Sequence, residues 1–165
     1  LPLISTVSPR LSAVDQAWKS ASKMSSQNTA ANTLQTYLQS LADNTPWDHL
    51  WEQDAVVLFP FANSLGASPK LDGIDAIKKH MTFFMADASN TTFAFNKIHP
   101  IAGDDAAVLE FEMHTTIKST GKVYDQKYVS IVYLSKNGKI QTYTEYWDVG
   151  VVLKTFAGTP PIEKQ

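Results

Sequence analysis

Apolar residues recur with a helical period in the first quarter of the chain. One stripe contains Leu11, Val14, Trp18 and Ala21, and a second contains Leu34, Tyr37, Leu38 and Leu41. The polar run 25–28 separates the two stripes, so the pattern predicts two helices between about residues 10 and 42. Thr45-Pro46 then predicts a short helical turn that carries Trp47, Leu50 and Trp51.

The next segments predict a strand, a loop and a further helix. Residues 54–62 are rich in β-branched and aromatic side chains, which favours a strand. Pro60 within this run predicts a sheet edge or a bulge, because proline has no N–H to donate. After a loop at 63–70, a helix is predicted from Asp72, and His80 lies one position from its apolar stripe. That stripe contains Ile74, Ile77, Met81 and Phe84.

After residue 90 the pattern becomes that of strands alone. Four strands are predicted at 92–101, 106–118, 124–135 and 139–149, and Gly-Asp-Asp, Ser-Thr-Gly and Lys-Asn-Gly turns separate them. Helices followed by a meander of long antiparallel strands indicate an α+β domain whose helices cover one face of a curved sheet. A chain of 165 residues is long enough for one such domain with a proper core.

The strand at 106–118 has one apolar face and one polar face. Glu110, Glu112 and His114 share the polar face, whereas Leu109 and Phe111 lie on the apolar one. The polar face is either the solvated side of the sheet or a surface turned towards a cavity or a second subunit. The pattern alone does not decide between these readings.

Composition and charge exclude several classes of partner. The chain has 14 Lys+Arg and 16 Asp+Glu, a formal net charge of -2, and its basic residues are scattered rather than clustered. A nucleic-acid partner is therefore not expected. The longest apolar run, residues 55–62, contains Pro60 and is far shorter than the roughly 20 residues of a membrane span. We expect a soluble protein with no membrane partner.

The sequence also offers no familiar cofactor or metal motif. It has no cysteine, which excludes disulfides, thiolate nucleophiles and Cys-based metal sites. Its four histidines, at 49, 80, 99 and 114, lack a known metal-ligand spacing, and no phosphate loop, nucleophile elbow or dinucleotide fingerprint is present. The sequence thus predicts chemistry without a cofactor or a metal.

The compartment is left open by the sequence, with the cytoplasm favoured. Residues 1–9 lean apolar and do not form a complete signal peptide, but they could follow one that was cleaved. The triplet Asn90-Thr91-Thr92 matches the N-glycosylation acceptor pattern, which would matter only in a eukaryotic secretory setting.

The end of the last predicted strand carries the clearest candidate for chemistry. Glu145 lies beside Tyr143, Tyr146 and Trp147. Desolvation by such rings disfavours the charged carboxylate and raises its pKa towards neutrality, where proton transfer is most efficient. The alternative is a strand end whose glutamate is simply solvated.

Several segments, taken in order, resemble one known family. They are Trp-Asp-His-Leu-Trp-Glu-Gln-Asp at 47–54, Gly73 followed by His80, the Glu110-x-Glu112-x-His114 strand, Asn-Gly-Lys-Ile at 137–140 and Glu-Tyr-Trp-Asp at 145–148. Together they resemble the SnoaL-like branch of the nuclear-transport-factor-2-like (NTF2-like) superfamily, and most of all its phenazine-biosynthesis A/B group. The resemblance covers about residues 28–158, within a domain predicted at 27–158. Residues 1–26 form a predicted helical extension that it does not match, and 159–165 form a tail.

The resemblance implies a fold and a pair of acid/base residues. The fold is a cone-shaped α+β barrel, in which a strongly curved antiparallel sheet and N-terminal helices enclose a pocket. Such domains usually form homodimers through the outer sheet face. By position in the phenazine group, the acid/base residues are His80 and Glu145, although His80 could instead be a structural histidine at the edge of the core.

The predicted pocket wall is largely aromatic. Its expected members are Trp47, Trp51, Asp54, Phe59, Phe84, Tyr128, Tyr143 and Trp147, and Phe61 and Phe83 are expected in the wall or the core. Asp54 could equally be a turn residue that begins the first strand. The predicted function is a cofactor-free acid/base enzyme of the isomerase, cyclase, dehydratase or condensation type, acting on a small, mostly apolar cyclic metabolite. The alternatives are a non-catalytic ligand-binding or dimerisation module and a secreted interaction domain.

Overall fold

Three α-helices pack on one six-stranded sheet in a computed structural model that describes residues 29–102 and 105–156. The helices are α1 (Thr29–Ala42), α2 (Gly73–Asp87) and α3 (Val149–Phe156). The strands are β1 (Trp51–Leu58), β2 (Lys70–Asp72), β3 (Ala88–Pro100), β4 (Ala106–Ile117), β5 (Lys122–Leu134) and β6 (Ile140–Trp147). Short 3₁₀ turns span Asp48–Leu50 and Ala62–Leu65. None of the helices in these two described ranges is long and apolar enough to cross a membrane.

The sheet has the order β2-β1-β6-β5-β4-β3 and is antiparallel except between β1 and β6. The register of β3 against β4 shifts between Ser89 and Thr92 and again between Phe95 and Lys97. Such bulges bend a strand and increase its twist, so they help to curl the sheet. Asn90 is exposed at the first bulge with a φ of 55°, which places the glycosylation acceptor triplet at the surface.

The helices cover the concave inner face of this curved sheet. On β5, Tyr124, Tyr128 and Val132 alternate inwards and are buried, whereas Val123 and Val129 point outwards and are exposed. The inward side chains join the apolar stripe of α1 in one continuous core, to which β4 contributes Leu109 and Phe111. The α+β, NTF2-like fold expected from the sequence is therefore confirmed.

Several predicted boundaries were wrong, and each error has a local cause. β1 is Trp51–Leu58 rather than 54–62, and Pro60 lies in the turn after it, where Phe59 N–H instead donates to Pro69 O at 2.8 Å. β1 is not an edge strand, because β2, which was not predicted, covers its outer side. The predicted strand 139–149 ends at Trp147, and α3 follows.

The start of α3 explains why the last strand stops. The side chain of Asp148 accepts a hydrogen bond from Gly150 N–H at 2.7 Å, as expected of a residue that caps a helix. The sequence pattern did not reveal this helix. The predicted helix with Leu11, Val14, Trp18 and Ala21, the extension at 1–26 and the tail at 159–165 lie outside the described residues.

Two valines on β5 test the assignment of inner and outer faces. Val132→Ala removes two buried methyl groups from a side chain with no exposed surface, and should lower the free energy of unfolding by about 2 kcal/mol. Val123→Ala is the matched control, because its side chain is 52% exposed on the opposite face, and should cost about 0.5 kcal/mol or less. Urea unfolding measures both changes. Equal losses would contradict the assignment.

Candidate active site

A cavity lies between the concave face of the sheet and the helices α1 and α2. Its volume is about 80 Å³, counted as the space in which the centre of a water molecule fits. This is room for several waters or one small organic molecule. Most of its wall is aromatic or aliphatic. The aromatic members are Tyr37, Phe59, Phe84, Phe93, Phe111, Tyr124, Tyr128, Tyr143 and Trp147, and three methionines, Met81, Met85 and Met113, lie among them. An apolar enclosure with a few polar groups is typical of a small-molecule site.

Glu145 is the only acidic side chain among the described residues that line this cavity. It points inwards because it alternates with Thr144 and Tyr146 on β6, and it lies opposite Ser130 on β5. The hydroxyl of Tyr143 donates a hydrogen bond of 2.5 Å to Glu145 Oε2. Because the Tyr143 proton is used in this way, the Ser130 hydroxyl, 3.0 Å away, is left to donate to the Tyr143 oxygen.

Burial raises the pKa of Glu145 to about 7, and the hydrogen bond from Tyr143 opposes part of this rise. The Glu145 side chain keeps some accessible surface, since it faces the cavity, but its carboxyl is surrounded by protein. Desolvation outweighs a single hydrogen bond because it acts on the whole charge of the carboxylate. Glu145 is thus able to give or take a proton near neutral pH.

His80 lines the same cavity from α2. Its ring lies on that of Phe59, with 5.3 Å between the ring centroids, and burial lowers its pKa to about 4. Within the described part of the chain, the His80 ring has no hydrogen-bond partner. At neutral pH it is therefore an uncharged imidazole, with one nitrogen to donate and one to accept.

Four tyrosines line the cavity with Glu145, and two of them, Tyr37 and Tyr124, were not among the predicted site residues. Tyr124 OH accepts hydrogen bonds from Gln126 Nε2 at 3.3 Å and from Tyr128 OH at 3.4 Å. The Gln126 amide also bonds both backbone groups of Asp148, at 2.9 and 3.0 Å, and so fixes the end of β6 against β5. The i, i+4 spacing of Tyr124 and Tyr128 on the inner face of a strand could have revealed this pair.

Tyr37 was predicted as a core residue of a helix, and the structure places it in the core and in the cavity wall at once. Its ring makes edge contacts with Trp47 and Trp51, at centroid distances of 5.2 and 5.0 Å. Burial, and then the negative charge of Glu145, raise the pKa of the Tyr37 hydroxyl well above its ordinary value. An apolar stripe gives no signal for such a role, because tyrosine is common in cores.

The structure brings together some of the predicted pocket residues and not others. His80 and Glu145 share the cavity with Phe59, Phe84, Tyr128, Tyr143 and Trp147. Trp47, Trp51 and Asp54 do not line it, which corrects the expectation for these three. Trp51 is fully buried behind Tyr143, and Trp47 packs on the core beside Trp51. Asp54 is exposed, and its carboxylate accepts a hydrogen bond from Gln141 Nε2 at 3.2 Å.

Two further phenylalanines also differ from expectation. Phe61 and Phe83 were expected in the wall or the core, but they are 45% and 53% exposed. Phe61 follows the end of β1, and its ring contacts Tyr146 at a centroid distance of 5.6 Å, outside the cavity. Composition alone does not distinguish a buried phenylalanine from an exposed one.

The polar face of β4 lies on the outer face of the sheet, away from the helices. There Glu110 pairs with His99 and Lys97, Glu112 lies 3.8 Å from Lys127, and His114 contacts Asp125. These groups are largely exposed, which agrees with the solvated reading of the pattern. Over residues 29–102 and 105–156, no three His, Asp or Glu side chains are grouped so that they could hold a metal ion.

Three solved structures show what the chain is similar to. A proposed isomerase from Bacillus subtilis is 26% identical, with a TM-score of 0.72 over 80% of this chain and 95% of its own. The BvnE pinacolase from Penicillium brevicompactum is 18% identical, with a TM-score of 0.65 over 82% and 95%. A phenazine-biosynthesis-related protein from Pseudomonas aeruginosa is 15% identical, with a TM-score of 0.64 over 90% and 95%. The last two identities are low enough to show the fold alone.

The family itself is shown by the sequence match. The SnoaL-like domain family matches residues 39–143, which is more than half of the chain and includes β1 to β5, α2 and His80. This agrees with the resemblance in the motifs and with the curved sheet and cavity described above. The chain belongs to the SnoaL-like domain family, within the NTF2-like fold.

Proposed function

We propose that the chain is a cofactor-independent acid/base enzyme that acts on a small, mostly apolar cyclic compound bound in the cavity. The reaction class is isomerisation, cyclisation, dehydration or condensation, in which Glu145 and His80 handle protons. The observation that carries the proposal is the position of the Glu145 carboxyl, which lies in an apolar cavity that it shares with the His80 imidazole. Burial there raises the pKa of Glu145 to about 7 and keeps His80 neutral. A base whose pKa is near the working pH is the most effective in proton transfer.

The proposed step begins with the ionised carboxylate. Glu145 removes a proton from a carbon next to a carbonyl group, the C–H electron pair forms a C=C bond, and the carbonyl oxygen gains the negative charge. Return of a proton to a different carbon gives the isomer and restores the carboxylate. His80 is neutral above about pH 4, so it serves as a hydrogen-bond donor or acceptor, or relays a proton, rather than as a standing cation.

Membership of the SnoaL-like family supports this class of reaction. The names of two similar structures, an isomerase and a pinacolase, denote rearrangements of a single substrate, which is the chemistry that a lone acid/base site without a cofactor could perform. These names describe those proteins. For this chain they support the choice of assay.

A non-catalytic binding module is the second candidate. The low pKa of His80 favours it, because an imidazole with a pKa of about 4 is a weak base at neutral pH and could serve only to bind a ligand. The enclosed, largely apolar cavity suits either role. Proton exchange in a bound ligand separates the two candidates.

We also propose that the chain forms a homodimer through the outer face of the sheet. On that face the exposed side chains of Val129 and Tyr133 lie beside Tyr146 and Thr142 of the neighbouring strand. Pairs of oppositely charged side chains flank them on β4 and β5, and one of these pairs is Lys127 with Glu112. Apolar and paired polar groups of this kind suit a self-complementary interface.

The first test measures exchange of α-protons for deuterium in acetophenone, 1-tetralone and cyclohexenone by NMR in D₂O, above the pKa of Glu145. The parent protein should accelerate exchange in at least one of these ketones. Glu145→Gln removes the base and should lower the rate by about 10²-fold or more, and His80→Gln should lower it less. Asp54→Asn is the control, because Asp54 is exposed outside the cavity, and should keep the parent rate. Binding without exchange in the parent would favour the non-catalytic candidate.

The second test concerns the hydrogen bond from Tyr143. Activity should rise with pH as Glu145 ionises, with a midpoint at about pH 7 in kcat/KM. The Tyr143 hydroxyl stabilises the carboxylate, so Tyr143→Phe should raise the pKa of Glu145 further and move the midpoint to higher pH. The rate of exchange as a function of pH gives both midpoints. A midpoint that stays in place or falls would contradict the assignment of Glu145 as the base.

The third test concerns assembly. The parent protein should have twice the mass of one chain in solution, and Val129→Lys should give a single chain, because it would bury two new charges at the interface. Leu153→Lys is the control, since Leu153 is exposed on α3 and away from the outer sheet face. Light scattering after size exclusion measures the mass. A monomeric parent, or a dimer that survives Val129→Lys, would remove the proposed interface.

A further inference from the structure

A surface groove adjoins the cavity between the helices α1 and α2. It lies between the end of α1, the turn after it and α2, and its volume is about 240 Å³ when counted in the same way as that of the cavity. The residues that line the groove but not the cavity are Ser40, Asn44, Thr45, Trp47, Thr82 and Ala86. Trp47, which was expected in the pocket wall, thus lies in this groove, and the proton transfers described above do not use it.

Three side chains separate the groove from the cavity, because they line both. They are Leu41 from α1 and Met81 and Met85 from α2. Leu41 is buried, whereas the two methionines are half-buried. Methionine is unbranched, has three rotatable bonds and adapts its shape to what it contacts. The boundary between the two spaces is therefore made of side chains, and two of them can move without any change in the backbone.

The groove carries polar groups that the protein leaves unused. The side chains of Asn44, Thr45 and Thr82 are exposed and have no hydrogen-bond partner within the two described ranges of the chain. An amide and a hydroxyl can each donate and accept hydrogen bonds. Their best partner is a group that also does both, such as a hydroxyl or a carboxamide.

The groove offers no charge to a ligand. None of the described residues that line it is Lys, Arg, His, Asp or Glu. Asp43, Asp48 and Asp87, which adjoin these residues in the chain, accept hydrogen bonds from other parts of the protein. A ligand carboxylate would therefore gain no ion pair in the groove, whereas a neutral polar group would gain hydrogen bonds.

We propose that the groove is an extension of the ligand site and binds a neutral polar substituent of a compound whose ring occupies the cavity. The substituent reaches the groove between Leu41 and the two methionines. A cavity of about 80 Å³ holds one small molecule, so a longer compound extends into the space that adjoins it. The substrate class is then a ring with a short chain that ends in a hydroxyl or an amide. To that extent the inference rests on the proposed function, but binding in the groove does not require catalysis.

Three para-substituted acetophenones test the groove by NMR titration. Each carries a chain of three methylenes, which ends in a carboxamide, in an isopropyl group of nearly the same shape or in a carboxylate. The parent protein should bind the amide about 10-fold more tightly than unsubstituted acetophenone, because the chain adds hydrogen bonds in the groove. The carboxylate should bind more weakly than the amide. An amide that binds no more tightly than acetophenone, or no more tightly than the carboxylate, would overturn the proposal.

Two variants remove the polar groups of the groove. Thr82→Val keeps the shape of the side chain, and Asn44→Gly keeps the backbone, because Asn44 has a φ of 52°, which glycine adopts readily. Each should weaken binding of the amide by about 3- to 10-fold and leave acetophenone and the isopropyl analogue unchanged. Thr36→Val is the control, since Thr36 is exposed on α1 outside the groove, and should change none of the three. If neither groove variant weakens the amide selectively, the proposal fails.

Filling the groove tests its position directly. Ala86 is exposed and lines the groove but not the cavity, so Ala86→Trp should abolish the gain from the amide chain and keep the parent affinity for acetophenone. Phe83→Trp is the matched control on the same helix, because Phe83 is 53% exposed and lines neither space. In the parent, nuclear Overhauser contacts should join the chain methylenes to the Ala86 methyl group. Contacts of the chain with the outer sheet face instead would place the substituent elsewhere and overturn the inference.

The groove and the enzymatic proposal fail in different ways. If the amide gains affinity through Thr82 and Asn44 but the parent exchanges no α-protons, the groove stands and the enzymatic proposal fails. If acetophenone exchanges but the amide gains no affinity, the groove fails and the enzymatic proposal stands. Where both hold, the amide chain should lower KM by about 10-fold and leave kcat unchanged, because its contacts are the same in the ground state and the transition state.

Discussion

The desolvation of one carboxyl group is the physical constraint on which the candidate site of this protein depends. Glu145 is enclosed by aromatic side chains, and among the described residues it keeps a single hydrogen bond, from Tyr143, which is itself held by Ser130. In water the same carboxyl would be ionised at neutral pH. Here burial raises its pKa to about 7, so the protonated and ionised forms are both accessible. Without the enclosing wall the group would be an ordinary surface acid.

The same physical cause acts in the opposite direction on His80. Burial lowers the pKa of the imidazole to about 4, because for a base the charged form is the protonated one. The cavity therefore moves both groups towards their neutral forms, and no Lys or Arg of the described wall compensates for a charge. A neutral interior favours neutral ligands, and proton transfer within it must create charge only transiently.

The fold supplies that enclosure through curvature. The bulges of β3 help to curve the sheet, and the helices α1 and α2 cover its concave face. The curvature leaves a space between the sheet and these helices, and this space is the cavity. The Gln126 amide fixes the end of β6 by bonding both backbone groups of Asp148, three residues beyond Glu145. Side chains on rigid strands keep a site more precise than side chains on loops. The carboxyl is thus positioned by elements that are themselves firmly packed.

The sequence by itself determined the α+β plan and most of the long elements, and the family resemblance pointed to Glu145 and His80, which line the same cavity. Alternation along β4 and β5 and the helical stripes are local properties, and the aromatic neighbours of Glu145 are adjacent to it in the chain. Only the tertiary structure decided which aromatic residues line the cavity. Trp51 begins β1 and Phe59 directly follows its end, yet Trp51 is buried behind Tyr143 and Phe59 faces His80. That difference depends on which strand pairs with which, and it is not encoded by the residue type.

Tyr37 and the parallel pairing of β1 with β6 show the same limit. Both depend on contacts between segments about a hundred residues apart, so no local pattern could report them. β2 is only three residues long and forms by pairing with β1, which no local pattern predicts. α3 begins at Val149, inside the predicted strand 139–149, because the Asp148 cap overrides the local strand propensity there. Burial and hydrogen bonding are properties of the assembled chain. They decide which aromatic side chains line the cavity and which carboxyl loses its water.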